Sequence, residues 1–466
     1  MQLTFAGAAG EVTGSRQLFA VGATRFAVDV GMFRGGRDAT VKNRAPWGFA
    51  PAALDFVVLT HAHLDHCGLL PRLVRDGFRG RVYATTASRE LIEVLLQDSA
   101  ELLADEARRE RRQRGRAAVP LYTLADVEAL MARVAPLEYG ERRELAPGVA
   151  VRLQDAGHIL GSAIAELWLN DAGASLKVVV SGDLGQPGRP ILKDPATIDA
   201  ADVLLVESTY GDRNHKPLAP TLAELIHAVG HTLNDKHGMV LVPAFAVGRT
   251  QELLYWFERF TLEERLPALE VIVDSPLASA VTAITERHVE LFDAQARGLL
   301  QQLRARPARM RLRHTHSAAE SMALDRLTGG AVILAGSGMC DGGRIRHHLA
   351  RHLSDSRNTV LITGYQAAGT LGRQLAERAK VVRIYGRAVL VRAEIRTLGG
   401  LSAHADQEAL LGWLRGFAAA PRQTFLVHGE PHATAPLAER ITRELGWTTS
   451  VPERDTVFDL SGVAHG

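Results

Sequence analysis

The chain has 466 residues, 46% of them hydrophobic and 23% charged, which is enough for two or three domains, each with its own apolar core and no need of staples. A net charge of +2 is too small to mark a general polyanion binder, so an anionic substrate would have to be held by a local patch. Two cysteines, Cys67 and Cys340, exclude a disulfide framework; with no basic leader and no apolar run of membrane-crossing length, the expected location is cytoplasmic, without membrane contact.

In chain order, the first part reads as short apolar strands that each end abruptly in a polar cluster. Residues 54–60 run into His61, 175–181 into Asp183 and 201–206 into Glu207. Such Val- and Leu-rich runs suit strands buried on both faces, and ligands of layered α/β folds gather beyond the carboxyl ends of such strands. Residues 91–114 read as a helix whose end carries Arg108, Arg109, Arg111, Arg112 and Arg114, with Arg116 just beyond. That run reads as a solvated helix end or as a phosphate-steering rim. From Tyr210 the pattern changes, with Pro217 and Pro220 marking a crossing between domains. Residues 239–254, 331–349 and 359–377 then repeat a strand, a glycine-rich turn and a helix, the rhythm of a parallel sheet covered by helices.

His61, His63, Asp65 and His66 place four ligand-capable side chains within six residues as a strand leaves its sheet. Alternation along an extended chain projects His61 and His63 to one side, and a helix start directly afterwards turns Asp65 and His66 toward a second ion. Imidazole nitrogen and carboxylate oxygen are the donors zinc takes. A pair of ions also needs a bridging group. Asp183, after a buried strand, is a candidate bridge, while His158 and His428 can complete the two sites. Metal-type residues returning as late as His404 and His428 indicate that the second α/β domain is inserted within the first.

The HxHxDH motif from His61 to His66, with Asp29 at the end of residues 26–28, His158 and Asp183, resembles the metallo-β-lactamase superfamily. Glu207 in Glu207-Ser208-Thr209-Tyr210-Gly211, His404 in Ser402-Ala403-His404-Ala405-Asp406, and His428 in Val427-His428-Gly429-Glu430 narrow the likeness to the β-CASP nucleases, over essentially the whole chain. The resemblance implies an α/β fold: a four-layer αββα metallo-β-lactamase domain built from residues 1–208 and 394–466, with an inserted α/β β-CASP domain over residues 209–393. It implies two Zn2+ per chain, with Mn2+ as the alternative. His61, His63 and His158 would hold the first ion, Asp65, His66 and His428 the second, with Asp183 between them and Asp29 orienting ligands from behind.

By the same likeness His404, oriented by Glu207, protonates the leaving oxygen while the metals and Asp65 prepare a hydroxide for in-line attack on phosphorus. The expected activity is hydrolysis of single-stranded RNA to 5′-phosphate and 3′-hydroxyl ends, as an endonuclease ahead of a 5′-exonuclease. DNA-cutting members lack the histidine of the last motif, which is present here as His428. A small-molecule hydrolase of thioesterase or lactonase type, a DNA nuclease and a non-catalytic RNA scaffold are the rival readings. Ser402 resembles a phosphate-contacting position; Arg249, opening a helix after a strand, and Ser337, in the turn Gly336-Ser337-Gly338, are further candidates. That turn lacks the last glycine of a dinucleotide fingerprint, and residues 364–369 lack the lysine of a P-loop, so no nucleotide cofactor is expected. The other histidines, including His314, His316, His347 and His348, read as partnerless surface residues. A homodimer is the assembly considered.

Overall fold

The structure is a computed structural model that describes residues 1–35, 38–114, 119–306, 309–367 and 369–464. It divides into two compact units, one of residues 1–189, 193–214 and 404–466, the other of residues 190–192 and 215–403. The sequence reading places the crossings at 208/209 and 393/394; the compact units change over at 214/215 and 403/404, and residues 190–192 group with the second unit.

The first unit carries two seven-stranded sheets. One runs in the order Val457–Asp459, Gln2–Gly7, Arg16–Val21, Thr24–Val28, Phe56–Val58, Arg81–Ala84, Val134–Pro136. The other runs Thr449–Ser450, Gln423–Val427, Val203–Glu207, Ala174–Val180, Ala163–Asp171, Val149–Asp155, Arg142–Ala146. Strands from both ends of the chain therefore share each sheet: Gln2–Gly7 pairs antiparallel with Val457–Asp459, and Val203–Glu207 pairs parallel with Gln423–Val427. Period-two alternation turns Phe26, Val28, Phe56 and Val58 toward Val151, Leu153, Leu167, Val178 and Phe425, forming the core between the sheets. Within it Phe26 stacks on Phe19 and on Phe56, at centroid distances of 4.9 and 4.7 Å. The opposite face of the second sheet buries Ile164, Val179, Leu204 and Leu426 against helices Gln407–Leu414 and Pro431–Leu445. Burial on both faces explains why these strands read as continuous apolar runs instead of alternating ones.

The second unit is built on an all-parallel sheet, ordered Met310–His314, Leu269–Val273, Ala331–Ala335, Val240–Pro243, Thr359–Ile362, Glu394–Thr397. The three strand-turn-helix repeats fall on the strands at Val240–Pro243, Ala331–Ala335 and Thr359–Ile362. Pro217 caps helix Leu218–Gly230 and Pro220 sits in its first turn, where the absent N–H costs nothing.

Helix Thr86–Arg114 contains the arginine run; Arg108, Arg109, Arg111 and Arg112 are exposed, Arg108 pairs with Asp105, and Arg116 lies outside the described residues. Among the described residues no helix is long and apolar enough to cross a membrane.

One expectation is overturned here. His348 is fully buried, with Nε2 2.6 Å from Asp274 Oδ2; His347 meets Asp325 and His314 meets Ser279. Asp274, at the end of strand Leu269–Val273, accepts also from Ser321, Arg344 and Thr315. The histidines look partnerless in sequence because their partners lie on other strands and helices.

Candidate metal centre and active site

Strand Phe56–Val58 ends three residues before His61, and His63 caps the short helix Leu64–Cys67, which brings Asp65 and His66 round to the same place. Close packing holds that turn: a Cβ on Gly31 would lie 1.6 Å from the Asp65 carbonyl oxygen. His158 follows Gly157, whose φ of 65° bends the chain, and its amide donates to Ser162 Oγ at 3.0 Å. Asp183 follows strand Ala174–Val180, and His428 follows strand Gln423–Val427 with φ 52°, its amide donating to the Ala8 carbonyl at 2.8 Å.

The donors converge on two clusters that share one carboxylate: His61, His63, His158 and Asp183 form the first, Asp65, His66 and His428 the second. Zinc held tetrahedrally by ligands at about 2.0–2.1 Å sets neighbouring donor atoms about 3.3 Å apart. In the first cluster His61 Nε2 and His63 Nδ1 are 3.1 Å apart, and His63 Nδ1 and His158 Nε2 are 3.3 Å apart. Asp183 Oδ2 lies 3.5 and 3.6 Å from the Nε2 atoms of His61 and His158. In the second cluster His66 Nε2 is 3.1 Å from His428 Nε2 and 3.3 Å from Asp183 Oδ1, while Asp65 Oδ2 stands 3.8 Å from His428 Nε2. The donor set therefore fits a pair of ions, with one oxygen of Asp183 turned to each cluster. Asp183 Oδ1 is buried and accepts no hydrogen bond among the described residues, as expected of an oxygen whose partner is a cation.

Electrostatics agree. Burial drives His61 and His158 well below the ordinary histidine range and His63 down to about 4, which keeps these rings neutral and their lone pairs available. Burial also opposes charge on His66, but the carboxylates of Asp183 and Asp29 outweigh it and raise His66 well above its usual value. A proton on His66 supplies the positive charge that this acidic pocket demands, and a metal ion answers the same demand.

The supporting contacts are specific. Asp29 Oδ2 accepts from His66 Nδ1 at 2.7 Å and from Ser15 Oγ at 3.1 Å, and Asp29 Oδ1 accepts from the Thr60 amide at 2.8 Å. Thr209 Oγ1 lies 3.1 Å from His428 Nδ1. Thr60, Ser162 and Thr209 escape the sequence reading because a hydroxyl has no spacing signature of its own; only Thr209, inside the Glu207 motif, carries a positional hint.

Beside these clusters His404 Nδ1 stands 3.3 Å from Glu207 Oε1 and 3.8 Å from Asp183 Oδ2. Glu207 Oε1 also accepts from the Leu184 amide at 2.7 Å, and an antiparallel bridge between Gly185 and His404 fixes the backbone. Burial works against the imidazolium of His404, but Glu207 overcomes it and the pKa rises to about 9.

Ser402, Arg249 and Ser337 belong to the second unit. Arg249 is turned inward, paired with Glu252 and donating to the Leu401 carbonyl, so its guanidinium is engaged by the protein. Ser337 Oγ accepts from the Gly342 amide at 3.2 Å and closes its own turn. Ser402 is partly exposed.

Comparison with known proteins identifies the family. Residues 28–228 match the metallo-beta-lactamase superfamily, residues 250–375 the Beta-Casp domain, and residues 388–452 the Zn-dependent metallo-hydrolase RNA specificity domain. The chain is 43% identical over 433 residues to a ribonuclease, TTHA0252, of Thermus thermophilus, covering 92% of this chain and 93% of that one. The chain belongs to the β-CASP nucleases of the metallo-β-lactamase superfamily. A transcription termination factor, FttA, of Pyrococcus horikoshii is 32% identical over 417 residues; this β-CASP nuclease spans 61% of that protein's length. A protein of unknown function from Enterococcus faecalis shares the fold, with a TM-score of 0.56 over 98% of this chain and 99% of that one, at 12% identity. The α/β architecture, with parallel sheets flanked by helices, and the nuclease class thus stand as read from the motifs.

Proposed function

We propose that this β-CASP nuclease is a two-zinc ribonuclease that cuts single-stranded RNA internally, leaving 5′-phosphate and 3′-hydroxyl ends. The observation that carries the reading is the position of Asp183, one oxygen facing each of two ligand clusters, with the His404–Glu207 pair alongside. The RNA substrate is supported by the similarity to the Thermus thermophilus ribonuclease.

His61, His63, His158 and Asp183 would hold one ion, and Asp65, His66, His428 and Asp183 the other. When bound, such a pair acidifies water and offsets the charge that develops on a phosphate under in-line attack. The remaining work falls to the chain. Asp29 and Thr209 fix the rings of His66 and His428, and Asp65 adds a carboxylate at the second cluster where the attacking water loses its proton. Glu207 holds His404 with Nδ1 toward its own carboxylate, so that Nε2 delivers the proton to the departing 3′ oxygen. Ser402 and Ser337 remain the candidate phosphate contacts; Arg249, tied to Glu252, acts by holding the Leu401 backbone.

The test uses purified, metal-analysed protein and RNA labelled at either end, with a 5′-phosphate or a 5′-triphosphate. Internal cuts from both substrates are expected. Release of mononucleotides from the 5′ end would overturn the endonuclease reading, and intact RNA with both metals bound would overturn the ribonuclease reading.

A further inference from the structure

The cations of this nearly neutral chain are unevenly distributed. Residues 301–403 hold 17 arginines and lysines against six acidic residues, and residues 378–393 hold five cations and no acid. That second segment forms a hairpin, Val381–Ile384 paired antiparallel with Arg387–Leu390, turned at Tyr385 and Gly386 with φ of 52° and 76°. Two successive positive φ values make the tight turn that suits the twist of paired strands, and they put an aromatic side chain at the tip.

One face of the hairpin is committed to the core, with Val382 and Ile384 buried alongside Leu371 and Leu375. The other face, formed by Val381 and Arg383 with Ala388 and Leu390, is open and exposed. Tyr385 at the tip is exposed, as is Arg387, which stands across from Ile384 at the rim of the covered face, and exposed Arg378, Lys380 and Arg392 flank the hairpin. None of these five cations makes an ion pair among the described residues, whereas neighbouring Arg373 and Arg396 are paired with Glu377 and Glu394. The guanidinium of Arg346 lies 4.8 Å from the Tyr385 ring centroid. Lysines and arginines on an edge strand can serve simply to prevent aggregation. That role needs no aromatic ring at the tip, nor a guanidinium packed against it.

We propose that this hairpin is a second RNA-binding surface, in which Tyr385 stacks on an unpaired base while Arg383, Arg387 and Lys380 follow the phosphates. The proposal rests on the ribonuclease reading for the identity of the polyanion, and adds a contact made by residues outside the unit that holds the metal ligands. Unpaired cations interleaved with an exposed aromatic ring are the combination that single-stranded nucleic acid recruits. The surface would grip a long RNA beyond the bond that is cut, affecting affinity and not chemistry.

The test compares the full chain with R383Q/R387Q, Y385A and Y385F, first by binding of an unstructured RNA across a salt series in a His404→Ala background that prevents cleavage. Losing two phosphate contacts flattens the slope of log affinity against log salt by about 1.4. Y385A weakens binding roughly five- to hundredfold, and Y385F retains it. In the active background KM rises for the long RNA with kcat unchanged, and a trinucleotide is cut as by wild type. An unchanged salt slope, an equal loss on the trinucleotide, or a loss of binding to anionic lipid vesicles with RNA binding intact would each overturn the proposal. Wild-type protein that binds RNA without cutting it would refute the ribonuclease reading alone, because the salt slope still tests the hairpin.

Discussion

Glu207→Gln keeps the size of the side chain and removes the charge that faces His404 Nδ1 at 3.3 Å. At an effective dielectric constant of about 20, that charge is worth about 5 kcal/mol to an imidazolium at this distance. Burial opposes it, and the net result is a His404 pKa raised from 6.5 to about 9, a difference of about 3 kcal/mol. The sign follows from the role: a histidine that donates a proton works below its pKa and fails as pH rises through it. Wild type should therefore keep its rate up to about pH 9, whereas in the variant only Asp183 and Asp65 oppose burial and the alkaline limb moves down toward the ordinary histidine value of about 6.5. Single-turnover cleavage, which isolates chemistry from product release, should then drop by about thirtyfold at pH 8 and by less than about twofold at pH 6. Metal content should be unchanged. Equal losses at the two pH values, or coincident alkaline limbs, would refute the assignment of His404 as the acid.

Three further outcomes are expected. Asp183→Asn should weaken both clusters at once, so metal analysis should find less than one ion per chain against the two proposed for wild type; retention of a full pair would refute the shared-carboxylate reading. Thr209→Val removes the hydroxyl 3.1 Å from His428 Nδ1 and should lower affinity at one site by about 10- to 100-fold in a chelator competition, leaving the other site unchanged. Asp274→Ala strands the buried His348 and the half-buried Arg344 and should destabilise the second unit by about 3–5 kcal/mol, read as a drop of about 10 °C in its thermal transition. Although burial raises the Asp274 pKa, bonds from His348, Thr315, Ser321 and Arg344 hold the carboxyl well below the ordinary range. Its contribution is therefore present at neutral pH and lost as acid protonates it, and the variant should differ least from wild type in strong acid.

Three of the candidate metal ligands are legible because each stands within three residues of the end of a strand: His61 after Phe56–Val58, Asp183 after Ala174–Val180 and His428 after Gln423–Val427. A polar residue at such an edge interrupts an apolar run, and that interruption is visible in one dimension. The partners of His348 are not, since Asp274 and Ser321 approach it only when the parallel sheet brings distant segments together. Arg249 shows the same limit from the other side. Its place at a helix start suggests an anion, while Glu252, on the first turn of that same helix, takes up its charge. Strands Leu269–Val273 and Met310–His314 leave no comparable mark, because their connections lack the glycine-rich turns that flag the other three.

The pairing of Val203–Glu207 with Gln423–Val427 has a consequence for synthesis. Ser208 Oγ donates to the Val427 carbonyl across 219 positions of sequence, so the slot beside Val203–Glu207 stays vacant until the last stretch of chain is made. A ribosome-bound chain that has already folded most of its first sheet still lacks His428, and with it the third donor of the second cluster. Until the strand that leads to His428 docks, the second cluster has only Asp65 and His66 beside the carboxylate of Asp183, so closing the sheet and completing the donor set are one event.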